Sequence, residues 1–321
     1  MSRGIPRVVL DAGAASLEIA LLGATPLRWF VELPTGRFDV LDGYLDVDEL
    51  SAQDGVRNGI MAPFCNRVAG ATYTFDGVTY DLRPGDPSRT IYHGLVRRLP
   101  FVVADRRVAD GTSQVTLRCD RLGRGATPGY PFEVDVEVTY ALRPDSLRIE
   151  VLGHNMGHSA APFTAGWHPY FRLPGASTID RLSLTLPATA TVRTDADLIP
   201  LPGAAAYQAV GGSVVRWDRL DGVVLDRAYA GEHPGTVRRS RLEDPATGTG
   251  LTVWQERGPV HVFTGDTLAR HRRRSIAIEP TEVVTDAFNR SDCADLIRLE
   301  PGARRSFRFG VDIHRSVPAG T

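Results

Sequence analysis

Two stretches of the 321-residue chain carry side chains fit for proton transfer. In TAGWHPYFRLPG, Thr164 to Gly175, a histidine stands between Trp167 and Pro169. Proline pushes the preceding residue toward extended backbone, so His168 is expected in strand geometry. Neighbouring side chains of a strand point to opposite faces, which puts His168 and Tyr170 on one face and Trp167, Pro169 and Phe171 on the other. In SIAIEPTEVVTDAFN, Ser275 to Asn289, Glu279 alternates with Ile276 and Ile278 and shares its face with Ser275 and Ala277, small side chains that leave room. A glutamate just before Pro280 is expected near a strand end. Arg67 follows Asn66 ahead of a hairpin and offers a planar fork of donors for hydroxyls or carboxylates. His93 precedes a glycine. Asp226 closes an apolar run, and as an acceptor it can grip paired hydroxyls. Taken singly, each residue has a plainer reading: a packed histidine, a solvated glutamate, salt-bridged Arg67 and Asp226, a turn at His93.

The elements that must position these groups are strands. In PFEVDVEVTYAL, Phe132, Val134, Val136, Val138, Tyr140 and Leu142 share one face, while Glu133, Asp135, Glu137 and Thr139 share the other. RPDS then reads as a turn, and Leu147, Ile149 and Val151 resume the alternation, predicting a hairpin from about 131 to 152. Val115, Leu117 and Cys119 follow the same rule, as do Leu182, Leu184 and Leu186, and Phe307, Phe309, Val311 and Ile313. Asp76-Gly77 between two strand-like runs predicts a tight hairpin. VDELSAQ and VVTDAFN are short enough for only a turn or two of helix. Residues 188–212 read as a long loop. Strands without alternating helices predict an all-β sandwich, with residues 1–321 as one domain.

Composition narrows the function. The 37 Lys and Arg balance 38 Asp and Glu, so no global basic field invites nucleic acid or an anionic membrane. No stretch approaches the roughly 20 apolar residues of a membrane span, and the N-terminal run lacks the apolar core of a signal peptide. Cys65, Cys119 and Cys293 are odd in number and lack metal-ligand spacing, which fits free thiols in a reducing cytoplasm. The basic run ARHRRRS, 269–275, reads either as a solvated turn or as a site that meets a phosphate.

In order along the chain, NRVAGATYTFDGVTYDL, HG, GWHPYFRLPG, VVLDRAY, IAIEPTEVVTDAFN and LEPGARRSFRFGVDI resemble the aldose 1-epimerases of the galactose mutarotase family, from about Asn66 to about Ile313. The resemblance implies a large, twisted antiparallel β-sandwich of the galactose mutarotase-like supersandwich type. It implies an enzyme that interconverts the α and β anomers of a free aldose. It also implies Glu279 as general base, His168 as general acid, and Arg67, His93 and Asp226 as groups that hold the sugar hydroxyls or the ring oxygen. Because Trp167 and His168 face opposite ways, Tyr170 is expected nearer the substrate and Trp167 nearer the core. No metal or organic cofactor is expected, the partner is a small sugar, and the assembly is a monomer or homodimer. Alternatives are a hexose-6-phosphate 1-epimerase, which ARHRRRS would serve, and a non-catalytic sugar-binding domain. Unperturbed pKa values of about 4.3 for glutamate and 6.5 for histidine predict an ionised Glu279 and a His168 that an acidic neighbour must help toward its charged form. The two are expected to face each other across a gap one monosaccharide wide. Better-known members read Asn-His-Ser-Tyr-Phe around the acid where this chain has Trp167-His168-Pro169-Tyr170-Phe171, so the pocket wall differs from theirs.

Overall fold

A computed structural model describes residues 4–231 and 235–314; residues 1–3 of the N-terminal run lie outside them. Two sheets dominate. The larger has nine strands in the order Val214–Trp217, Ser183–Pro187, Arg238–Glu243, Gly250–Gln255, Arg304–His314, Ser146–Asn155, Val134–Arg143, Thr112–Cys119 and Val102–Ala109. The smaller has six, in the order Tyr170–Phe171, Ile276–Pro280, Val260–Phe263, Asp226–Ala230, Ala190–Val192 and Tyr207–Ala209. Pairings within both are antiparallel. The architecture is the expected large antiparallel β-sandwich.

Alternation explains the larger sheet. The predicted hairpin forms as Val134–Arg143 against Ser146–Asn155, with the RPDS turn between them. Val134, Val136, Val138, Tyr140 and Leu142 are buried, and so are Phe307, Phe309 and Val311. Each such side chain taken from water is worth roughly 1.5–3 kcal/mol, which is why the pattern decides the register. Trp167 stacks on Phe309, with ring centroids 5.9 Å apart, and so joins the site-bearing segment to this sheet. Asp135 departs from the expected solvent face: it is buried, and Arg118 and Arg124 cap it at 2.6 and 2.9 Å.

Two further differences are informative. Residues 188–212 are not a plain loop, because Ala190–Val192 and Tyr207–Ala209 pair with each other and complete the six-stranded sheet. Strands of three residues are too short to show a period. An N-terminal sheet of Arg7–Asp11, Ala15–Ala20, Thr25–Leu33 and Gly36–Asp39 also forms, and its Leu10, Leu17, Trp29 and Val31 join the main core. No described helix is long and apolar enough to cross a membrane.

Candidate active site

Pro169 divides the WHPYF run into two strand pieces with different partners. Gly166–His168 pairs with Gly59–Met61, and Tyr170–Phe171 pairs with the strand that carries Glu279. The face assignment follows strand geometry. The His168 and Tyr170 rings stack 5.0 Å apart, while Trp167 and Phe171 meet at 5.8 Å inside the core. Phe171 is a core residue turned away from the face of His168. The Tyr170 hydroxyl donates to the Gly55 carbonyl at 2.9 Å, and the Arg57 guanidinium lies 5.3 Å from its ring centre.

His93 and Arg67 come from two loops zipped together. The His93 N–H donates to the Asn66 carbonyl at 2.7 Å, and Arg67 bridges to Tyr92. His93 has φ 60° and Gly94 φ 72°; a Cβ on Gly94 would lie 2.4 Å from the Ala62 carbonyl oxygen, so only glycine fits this close approach. The His93 ring meets His168 edge to face at 4.6 Å.

Glu279 occupies the penultimate position of Ile276–Pro280. Ile276 and Ile278 point into the main core, and Ala277 packs with Tyr170 on the other face. Glu279 is buried, not a solvated strand end. Its Oε1 lies 3.3 Å from His168 Nε2. The two groups adjoin instead of facing each other across a sugar-wide gap.

Arg67, His93, His168, Tyr170, Asp226 and Glu279 all line one open cleft of about 200 Å³. That is smaller than the roughly 300–1,000 Å³ of drug-sized sites and matches a single small ring. Tyr92, Phe263 and Leu268 also line the cleft and supply apolar surface. His261 was not singled out by its residue type or neighbours. It is buried in the cleft wall and donates from Nε2 to Asp226 Oδ1 at 2.8 Å. The only available signal was a polar residue alternating with Val260 and Val262.

The electrostatics reverse the protonation expected from free side chains. Burial pushes the Glu279 carboxyl up to about 8, against the pull of His261 and Arg67. Burial pushes His168 down to about 3, and the charge on His261 adds to the fall. Burial likewise drives His93 well below the ordinary histidine range. Burial also opposes the charge on His261, but Glu279 and Asp226 outweigh it and its pKa is raised. In the adjoining pair burial therefore favours the proton on Glu279 over His168, and His261 is the imidazole whose charge its carboxylate neighbours favour.

Among the described residues, the one grouping of potential metal donors is His93, His168 and Glu279, within 4.8 Å of one another. The trio sets an acid and a base beside a second imidazole. No residue of the basic run is in the lining of this cleft, and three of them are engaged elsewhere. Arg270 pairs with Asp42 and Glu49, Arg273 pairs with Asp180 and Asp266, and His271 lies 3.3 Å from Asp42.

The fold and its cleft define a galactose mutarotase-like β-sandwich protein. The chain belongs to the aldose 1-epimerase family, whose model matches residues 6–311. Galactose mutarotase of Sus scrofa is 25% identical over 275 residues, 82% of this chain and 78% of its own. The uncharacterized protein YihR of Escherichia coli is 22% identical over 254 residues, 78% of this chain and 77% of its own. The crystal structure of a GalM/aldose epimerase homologue from C. elegans superposes with a TM-score of 0.80 at 18% identity, covering 97% of this chain and 99% of the other.

Proposed function

We propose that the chain is an aldose 1-epimerase acting on a free monosaccharide, with Glu279 as base and His168 as acid. The observation that carries this reading is the 3.3 Å approach of Glu279 Oε1 to His168 Nε2 within an open cleft. In an aldopyranose the anomeric hydroxyl and the ring oxygen are bonded to the same carbon. An acid and a base in contact can therefore serve both oxygens together. Passing the shared proton from Glu279 to His168 creates the reactive carboxylate and imidazolium. Glu279 then takes the proton of the anomeric hydroxyl while His168 gives one to the ring oxygen. The C1–O5 bond breaks as the C1=O1 bond forms. Rotation about C1–C2 presents the other face of the aldehyde, and closure returns both protons. Each positioned acid or base contributes about 10²–10⁴-fold. Burial of both side chains makes the neutral pair stable at rest, yet leaves the charged pair one short proton transfer away.

Arg67 and the second oxygen of Asp226 hold sugar hydroxyls, and His93 flanks the acid. Tyr170, with Tyr92 and Phe263, gives the sugar's C–H face an apolar wall. The carboxylate partners of Arg270 and Arg273 withdraw two of the run's four arginines from any phosphate, which supports a free sugar. The three cysteines are buried free thiols, and burial pushes Cys65 to about 12 and Cys293 to about 11, which suits a reducing cytoplasm.

The deciding experiment is anomer exchange across a panel of free aldoses and hexose phosphates, followed by polarimetry. Glu279→Gln is expected to lower turnover by at least about 10²-fold with the fold retained. Full turnover in that variant, or saturable sugar binding with no exchange in the unaltered chain, would overturn the proposal.

A further inference from the structure

We propose that His261, clamped by Asp226, is a positioning residue for Glu279: a fixed cation on the adjoining strand that keeps the buried base available as a carboxylate. This rests on the reading of Glu279 as the base.

The geometry begins with the ladder. His261 and Glu279 are direct partners in the antiparallel pairing of Val260–Phe263 with Ile276–Pro280. Directly opposed residues share a face, with Cβ atoms about 4.5–5.5 Å apart. His261 Nε2 must carry a proton, because Asp226 Oδ1 at 2.8 Å only accepts. Nδ1 is then where the second proton of an imidazolium resides. Both His261 Nδ1 and Glu279 Oε2 are buried and lack a hydrogen-bond partner. A donor and an acceptor, each unsatisfied, thus stand on opposed residues of one face.

The surroundings of Glu279 leave few other sources of positive charge. On the adjoining segments it meets His168 and Tyr170, and it interacts with Cys65, Arg67, Asp226 and His261. Burial holds His168 neutral and pushes the Tyr170 and Cys65 protons on more firmly. His93 touches His168 and is also held neutral by burial. Arg67 and His261 are the cations, and Asp226 opposes them. Arg67 comes from a loop and points a guanidinium N–H to Asn66 Oδ1 at 3.1 Å. His261 sits on the neighbouring strand, locked by a carboxylate, and cannot swing away when sugar enters. A carboxylate formed in so dry a place needs such a counter-charge.

The test follows the Glu279 carboxyl itself. Difference infrared spectra of the full chain against Glu279→Gln give its protonated carbonyl band as a function of pH. In His261→Gln, which keeps a donor for Asp226 but no charge, the midpoint is expected to rise by about one pH unit or more. The anomer-exchange kcat/KM at pH 7 should fall about tenfold or more, with its acid limb moving by the same interval. His261→Asn, which also removes the charge and leaves Asp226 in place, should move the midpoint in the same direction and serves if His261→Gln does not fold. Unmoved midpoints in folded variants, or a rise in KM alone, would overturn the proposal and leave His261 as a sugar contact. If the unaltered chain exchanged no aldose, the proposed function would fall, while the infrared titration would still decide the coupling.

Discussion

Glu279 holds a proton in the folded chain that it would release in the unfolded one, and this links its chemistry to stability. Its carboxyl has an ordinary value of 4.5 and stands at about 8 when folded. Between these values the native state binds more protons, so stability falls as pH rises, and the full penalty applies above about 8. Replacing the group with an amide removes the penalty. Glu279→Gln is therefore expected to stabilise the chain by on the order of a few kcal/mol at pH 9, with little gain at pH 4.5. Denaturant unfolding at the two pH values checks this, and an equal change at both would contradict it. His168 behaves in the opposite sense. Its value drops from 6.5 to about 3, so the unfolded chain binds the extra proton and stability is lost as pH falls through that window. Both costs come from drying the site, which is also what makes a proton passed between Glu279 and His168 useful.

At the scale of elements, the turn at His93-Gly94 does the positioning that a strand cannot. It brings an imidazole back against His168 by packing its backbone onto Ala62. Gly94→Ala would set a Cβ 2.4 Å from the Ala62 carbonyl oxygen and 2.5 Å from the Ala62 nitrogen, where no side chain can yield. The expected loss is at least about 1–3 kcal/mol, together with weaker sugar binding as His93 moves. Gly77 in the Asp76-Gly77 hairpin is the comparison. Its φ is 77° but a Cβ there meets nothing within 4 Å, so Gly77→Ala should cost only the left-handed backbone term of about 1–2 kcal/mol. Thermal unfolding and sugar titration of both variants separate crowding from backbone preference. Equal losses at the two sites would show that Ala62 does not constrain the turn.

Across the whole molecule, a buried ion cluster ties the cleft to distant parts of the chain. Asp42 Oδ2 accepts from Arg57 at 2.7 Å and from the Ser275 hydroxyl at 3.0 Å, and its Oδ1 lies 3.4 Å from Arg270. Both Asp42 and Arg57 are buried, and Arg57 supports the Tyr170 ring that stacks on His168. The basic run thus serves as a strap joining the N-terminal region to the strand of Glu279. Asp42→Ala leaves the Arg57 guanidinium without its carboxylate and is expected to cost about 3–5 kcal/mol in denaturant unfolding. Sugar binding should weaken with it as the floor of the cleft loosens. A loss below 1 kcal/mol would show that water replaces the carboxylate and that the strap is dispensable.

The sequence by itself determined the strands with a clear period and the identity of six side chains that share the cleft. Both are local properties: alternation fixes which face is dry, and a proline or glycine fixes the backbone beside a histidine. It did not disclose the pairing of the short strands within 188–212, the N-terminal sheet, or His261, whose neighbours Val260 and Val262 look like any strand. Tertiary structure alone decided that Glu279 and His168 touch, that Arg270 and Arg273 of the basic run are already paired, and where burial favours the protons. Those outcomes depend on distance and dryness, and both are set by residues far away in the chain. A free glutamate is an anion near neutral pH; the same group enclosed by two sheets keeps its proton, because burial removes the water that would stabilise the charge.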